Sequence, residues 1–281
     1  MDQEFTSKNL CTTLSKDEHF PYRYSVCTLF TKPQEYTEML QSFLNAGFDR
    51  EYCEYLCIDN SAENTVEAFE GLNLFLRKAR GEFIILCHQD ILLHDADIRV
   101  LNQRIEEITE LDPKWAVLGN AGGLDLHHRA KHLSRKTGQQ LIEANLPLKA
   151  ITLDENFMVV KNNANLSLSA DLSGFHLYGT DLCLLANTLG YTNYVINFNL
   201  LHKSGGTIDQ EFHRVKVALI RKYRRAFRGR YICTTATRFY ISGNFLANIF
   251  FNSRPILFLF KQLYKAVKSK KCYQVIKTDD V

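Results

Sequence analysis

The side chains best equipped for chemistry sit where apolar runs stop. In Gly81-Glu82-Phe83-Ile84-Ile85-Leu86-Cys87-His88-Gln89-Asp90, five apolar residues end at an imidazole, an amide and a carboxylate. Residues 55–58 end at Asp59-Asn60, and residues 194–201 end at His202-Lys203. Asp154-Glu155 and Asp181 add further carboxylates. A carboxylate at a strand end can hold a hard divalent cation against a phosphate. The same groups also suit an ordinary polar turn, and the stretch around Asp90 taken alone leaves both readings open.

Regular elements must bring these ends together. Residues 24–30, 55–58, 83–87 and 115–118 are apolar runs of strand length, and helical periodicity fills the gaps. Residues 33–44 place Tyr36, Met39, Leu40, Phe43 and Leu44 on one face, with Thr31 a candidate cap, Pro33 in the first turn and Gly47 at the end. Residues 62–80, 97–108 and 181–189 read as further helices, and 150–160 and 194–201 as strands. Residues 125–146 are polar and weakly periodic, which predicts a long loop. The alternation predicts an α/β fold, a Rossmann-like, mostly parallel sheet flanked by helices. Ligands of such sheets bind beyond the carboxyl ends of the strands. Three regions are expected: an extension over residues 1–22, the α/β domain over 23–206 and a basic helical appendage over 207–281.

With 46% hydrophobic and 23% charged residues, an ordinary globular core is within reach. A net charge of +3 is too small for a general nucleic-acid binder, so no nucleic-acid partner is expected. The eight cysteines lack metal-binding spacing, and several lie in apolar runs, which predicts free thiols in a reducing compartment. The polar N-terminus has no signal-peptide pattern. No run approaches the roughly 20 apolar residues of a bilayer span. A cytoplasmic location is expected, peripheral on the inner face of the membrane if the tail binds lipid. In that tail, Phe212, Val215, Leu219, Tyr223 and Phe227 line one side of a basic helix, and Ile256, Phe260, Leu263 and Val267 form a second stripe among lysines. Such stripes fit a membrane surface, the α/β domain or a second subunit of a homodimer, and the sequence leaves the three open.

The residues from Asn73 through Ala79-Arg80-Gly81-Glu82 to His88-Gln89-Asp90 resemble the family 2 glycosyltransferases of GT-A fold. Within them the chain is similar to a subgroup named after a streptomycin-biosynthesis protein, in which His-Gln-Asp replaces the usual Asp-x-Asp metal motif. Leu153-Asp154-Glu155-Asn156-Phe157, Phe175-His176-Leu177-Tyr178-Gly179-Thr180-Asp181-Leu182 and Leu201-His202 follow in the family's order. The resemblance runs from about residue 23 to 206 and does not extend to the tail.

The resemblance implies a metal-dependent inverting hexosyltransferase. Its donor would be a nucleoside-diphosphate sugar, UDP-linked before GDP- or dTDP-linked, and its acceptor a glycan or lipid-linked glycan of cell-surface polysaccharide synthesis. Asp90 and His202 would hold Mn²⁺ or Mg²⁺. Asp59 would accept a hydrogen bond from the nucleotide base, with Asn60 assisting and Thr28 and Phe30 lining the nucleoside pocket. Asn73, Lys78, Gln89 and Lys203 would contact the donor. Asp181 would be the base, with Asp154-Glu155 the rival pair and Asp154 facing the donor sugar. His176, Tyr178, His127 and His128 would line the acceptor side. A non-catalytic nucleotide- or glycan-binding scaffold is the alternative, because His-Gln-Asp lacks one carboxylate. A nucleotidyltransferase is a weaker alternative, since Leu29-Phe30-Thr31-Lys32-Pro33 stands where such enzymes carry a Gly-rich loop.

Overall fold

The computed structural model describes residues 19–135, 140–142, 146–205 and 208–268. Most of the expected N-terminal extension, Gly206 and the lysines beyond 268 lie outside them. The chain divides into two compact units, Met1–Lys216 and Val217–Val281.

In the first unit, β1 (Tyr22–Phe30), α1 (Pro33–Asn45), β2 (Cys53–Asp59), α2 (Ala68–Lys78) and β3 (Gly81–Cys87) alternate as expected. Then come β4 (Ile91–Leu92), α3 (Ile98–Leu111), β5 (Trp115–Gly119), β6 (Ala121–Gly123), β7 (Arg129–Arg135), β8 (Gln140–Ile142), β9 (Leu148–Ala150), β10 (Thr152–Leu153) and β11 (Phe157–Lys161). α4 (Tyr178–Thr188), β12 (Thr192–Val195) and β13 (Leu201–His202) complete the sheets. The main sheet has the order β2-β1-β3-β11-β5-β12-β9. Five of its strands run one way, and only β11 and β9 run against them. A second sheet, β10-β6-β7-β13-β4, has β8 paired to β7. This is the predicted class, a mixed and largely co-directional sheet flanked by helices.

The core explains the apolar runs. β3 and β5 are buried almost throughout because strands cover both edges and helices cover the faces. Trp115 is fully buried, stacks on Phe83 at 5.7 Å and donates its indole N–H to Thr109 Oγ1 at 2.9 Å. Asp97 caps α3 by accepting the N–H groups of Arg99 and Val100. Gly47, at φ +85°, terminates α1 in the left-handed region.

Several expectations need correction. Thr31 does not cap α1. The cap position is Lys32, and the amides of Thr31 and Lys32 donate instead to Gln89 Oε1 at 2.8 and 2.9 Å. Residues 125–146 are not one loop, for β7 and β8 extend the meander begun by β6. Their strand signal was faint because the inward positions of β7 include Ala130 and His132 rather than large apolar residues. The strand expected over 150–160 breaks at an Asx turn, where Asp154 Oδ1 accepts from Asn156 N and Nδ2. The strand expected over 194–201 is two, because the chain passes from the main sheet to the second.

α5 (Gln210–Ala226) leads into the second unit, which contains the hairpin β14 (Arg230–Cys233) and β15 (Arg238–Ile241) and the helices α6 (Phe245–Asn252) and α7 (Arg254–Lys268). The hairpin was not anticipated from residue pattern. Among the described residues, no helix is long and apolar enough to cross a membrane.

Candidate functional site

A cleft of about 360 Å³ opens beyond the carboxyl ends of β1 and β3. Leu29, Ala68, Leu72 and Phe75 form its apolar wall, while His88, Asp90, Glu155, Tyr178 and Ser204 line its polar end. The burial of β3 forces its first polar residues out at this edge. His88 N donates to Asn156 O at 3.0 Å, which fixes the strand end against the 154–156 turn.

Three side chains converge there. β4 pairs antiparallel with β13, in the register His202 opposite Ile91, and this pairing carries His202 to Asp90. His202 Nε2 lies 3.4 Å from Asp90 Oδ1, and His88 Nδ1 lies 3.9 Å from the same oxygen. The ligand atoms of His88, Asp90 and His202 all fall within 4.8 Å of one another. Ser204 N donates to Asp90 Oδ2 at 3.2 Å. Burial opposes ionisation of Asp90, yet hydrogen bonds from His202 and Ser204 and the nearby imidazoles hold its carboxyl well below the usual range. Burial first, and then His202, push the His88 imidazole below its ordinary value, toward the neutral form a metal requires.

These residues fit a divalent cation. Two imidazoles and one carboxylate suit Mn²⁺ and its transition-metal neighbours better than Mg²⁺, which prefers oxygen. The outer contacts are also in place. His88 Nε2 is 2.8 Å from Tyr178 Oη, which in turn reaches Glu155 O at 3.5 Å. With Nδ1 as the ligand, Nε2 carries the proton and donates it to Tyr178, an arrangement that orients the ring.

Glu155 is a second carboxylate at the cleft's polar end. Gly179 N donates to its Oε1 at 3.2 Å, and a Cβ at Gly179 would lie 2.7 Å from Leu153 O and 3.1 Å from Glu155 Cγ. The missing side chain therefore lets α4 close on the turn that carries the acid. Burial first, with the Asp154 charge adding to it, pushes the Glu155 carboxyl up to about 8.

The remaining predicted residues separate into groups. Asp154 is exposed beside this acid and His88, bonded to Asn156. Asp181 is fully buried, and its two oxygens accept Ser169 N at 2.8 Å and Ser169 Oγ at 2.7 Å. It anchors a loop to α4 and does not line the cleft, which corrects the expectation of a base facing an acceptor. Thr28 and Phe30 are on the wrong face of β1. Thr28 pairs with Cys87 Sγ and Phe30 stacks on Tyr36 at 4.3 Å, while Leu29 and Thr31 line the cleft. Asn60 is buried and holds the 60–66 loop through Val66 O and Thr65 N. Asn73 bonds both Leu168 O and Leu168 N. Both amides have structural work in place of donor contacts. Lys203 pairs with Glu38. Lys78 ends α2 at the amino edge of the sheet, roughly 20 Å of strand away from Asp90. Asp59 is exposed at the end of edge strand β2 and accepts Ser61 N. Gln89 does line the cleft, with its amide engaged by the β1–α1 loop.

His127 and His128 sit in an exposed turn organised by Asp125. His176 reaches Asp209 at 3.5 Å, but Asp209 and Glu211 also serve Phe212 N and Arg214, so this second His/carboxylate group is a local helix start. Reading by residue type missed His88 as a ligand and Leu29 and Thr31 as lining. Strict alternation along β1 was the signal for the latter pair.

Fold and site together define an α/β protein with a His₂-carboxylate cluster at the strand-end cleft of its sheet. The chain belongs to the family of the Fuscovulum blasticum protein "ATP synthase subunits region ORF 6", with 35% identity over 226 residues that cover 78% of this chain and 91% of that protein. That name states no activity. No family model matches the chain. Among solved structures, it is similar to the mannosyltransferase PcManGT from Pyrobaculum calidifontis in complex with GDP-Man and Mn²⁺, at 14% identity and TM-score 0.48, over 87% of this chain and 70% of that one. It is also similar to a fragment, 1–349, of S. aureus TarS, at 14% identity and TM-score 0.47, over 70% and 64% of the two chains. Both scores lie below 0.5, and the function is read from the site's own residues.

Proposed function

We propose that the protein is a metal-dependent inverting glycosyltransferase that moves a hexose from a nucleoside-diphosphate sugar to a hydroxyl of a glycan or lipid-linked glycan. The observation that carries this reading is the convergence of His202 on His88 and Asp90, two residues that line the polar end of the cleft together with Glu155. The apolar wall suits the faces of a base and a sugar. A divalent cation held by His88, Asp90 and His202 would neutralise charge on the departing diphosphate.

The chain's own residues do the rest. Glu155 takes the proton of the acceptor hydroxyl as that oxygen bonds to the anomeric carbon, and the bond from that carbon to the diphosphate oxygen breaks with its electrons leaving on the diphosphate. A single displacement of this kind inverts the anomeric centre. Tyr178 orients His88, and Gly179 N orients Glu155. UDP-sugars are the first donors to test.

The test is nucleotide release from UDP-, GDP- and dTDP-sugars with Mn²⁺. Asp90→Asn is expected to abolish release, with the circular dichroism spectrum unchanged. Wild-type activity in that variant, or full activity with the metal chelated, would overturn the mechanism. Calorimetric binding of a nucleotide with no turnover of any donor would point to the scaffold alternative, which the single carboxylate of the cluster keeps in play.

A further inference from the structure

The two units divide the charge. Residues 1–216 hold 20 Lys and Arg against 29 Asp and Glu, whereas residues 217–281 hold 14 against 2. Both of those acids, Asp279 and Asp280, are at the far C-terminus, so residues 217–268 contain no carboxylate side chain. A net charge near neutrality conceals this division.

The same unit exposes large apolar side chains. On α6, Phe245 is 74% and Leu246 73% exposed, with Ile249 and Phe250 beside them, and on α7 Phe258 and Leu259 are exposed as well. These faces are not an unfinished core. The opposite side of α6 is fixed, because Asn248 bonds the backbone of Ser242 and Asn252 that of Tyr240, each through both N–H and C=O. Phe251 packs inward on Tyr231, Tyr240 and Phe260. With its inner side locked, α6 must present its apolar side outward.

A cavity of about 540 Å³ in this unit is lined by Arg225, Arg228 and Arg230 together with aromatic rings. Tyr231 borders it, and the Tyr231 hydroxyl oxygen is buried without a hydrogen-bond partner. The arginine side chains at its wall can pair with an anion such as a phosphate, although Arg230 also donates to Ala226 O at 2.6 Å.

We propose that the second unit docks on an anionic lipid bilayer, with the outward faces of α6 and α7 entering the headgroup boundary and the arginine-lined cavity taking a lipid phosphate. The charge selects an anionic surface, and the exposed Phe, Leu and Ile select a bilayer over a nucleic acid, which gains nothing from aliphatic side chains. Among the described residues no helix is long and apolar enough to cross a membrane, and the docking proposed is on one face of the bilayer. This surface lies in a different unit from the donor cleft, so the two proposals stand or fall separately.

The experiment is co-sedimentation of the full chain with phosphatidylcholine vesicles and with vesicles of phosphatidylcholine and phosphatidylglycerol. About tenfold tighter binding to the anionic vesicles is expected, weakened by salt. Phe245→Ser with Leu246→Ser should lose about tenfold on anionic vesicles. Arg228→Gln with Arg230→Gln should abolish the preference for phosphatidylglycerol. Release of nucleotide from a soluble donor, where measurable, should be unchanged in both variants. Because all four substituted side chains are exposed or line the cavity, folding is checked independently by circular dichroism. Failure to bind either vesicle, equal binding to both, indifference to the substitutions, preferential binding of a short DNA duplex, or a dimer that buries the face and excludes vesicles would each overturn the proposal.

Discussion

Glu155 has two opposed consequences of one environment. Burial, with the Asp154 charge adding to it, raises its carboxyl to about 8, while Tyr178 and Cys183 nearby stay neutral because burial raises them too. A base must be ionised, so the transfer rate should rise with pH through about 8 and then level. Glu155→Gln should remove that step and lower kcat by about 10²–10⁴-fold. Stability runs the other way. A carboxyl raised in the folded state contributes fully below its unfolded value, and that contribution is lost as pH rises through about 8. Glu155→Gln should therefore melt above the wild type in alkaline solution, by roughly 2–4 °C for each kcal/mol relieved. Thermal melts on either side of neutrality check this, and a variant no more stable at alkaline pH would contradict it. Tyr178→Phe tests the neighbouring contact, since His88 loses the partner of its Nε2. Mn²⁺ affinity by calorimetry should fall about 10–100-fold. An unchanged affinity would remove His88 from the ligand set.

Short elements position the site. β4 and β13 are two residues each, yet their pairing sets His202 beside Asp90, with β7 holding the other side of β13. The loop between β1 and α1 relies on Gln89, whose Oε1 accepts the Thr31 and Lys32 amides and so fixes the entry to a helix that has no side-chain cap bond at Lys32. Gln89→Ala should cost about 1 kcal/mol of stability. It should also raise KM more than it lowers kcat, because Thr31 and Lys32 line the cleft without touching the reacting groups. Denaturant melts and steady-state kinetics separate the two effects. Elements with strong local periodicity, such as α1 and α3, were legible in the sequence. β7 and β8 were not, because a strand with small or polar inward residues in a partly exposed sheet leaves no alternating apolar signature.

Across the whole chain, one acid ties β2, β1 and the entry to β3 together at the edge of the main sheet opposite the cleft. Glu54 on β2 accepts the Ser25 hydroxyl of β1, the Arg80 amide and the Arg80 guanidinium at the entry to β3. Burial opposes its ionisation, but these bonds hold its carboxyl below the ordinary value. Its stabilisation is therefore present above the ordinary carboxylate range and lost as pH falls through it. Glu54→Gln should destabilise by about 1–3 kcal/mol near neutrality, and the gap to wild type should close in acid, as urea melts across pH would reveal. The sequence by itself determined the alternation of strands and helices from β1 to β5, the buried runs and the places where those runs give way to polar groups. These follow from local periodicity and composition. Only the tertiary structure decided that Leu29 and Thr31, not Thr28 and Phe30, face the cleft, that His88 joins Asp90 and His202, and that Glu155 is available where Asp181 is locked to Ser169. Which face of a strand packs on a helix, and which distant residue lies opposite it, are set by non-local pairing and burial, and neither is written in any local stretch of the chain.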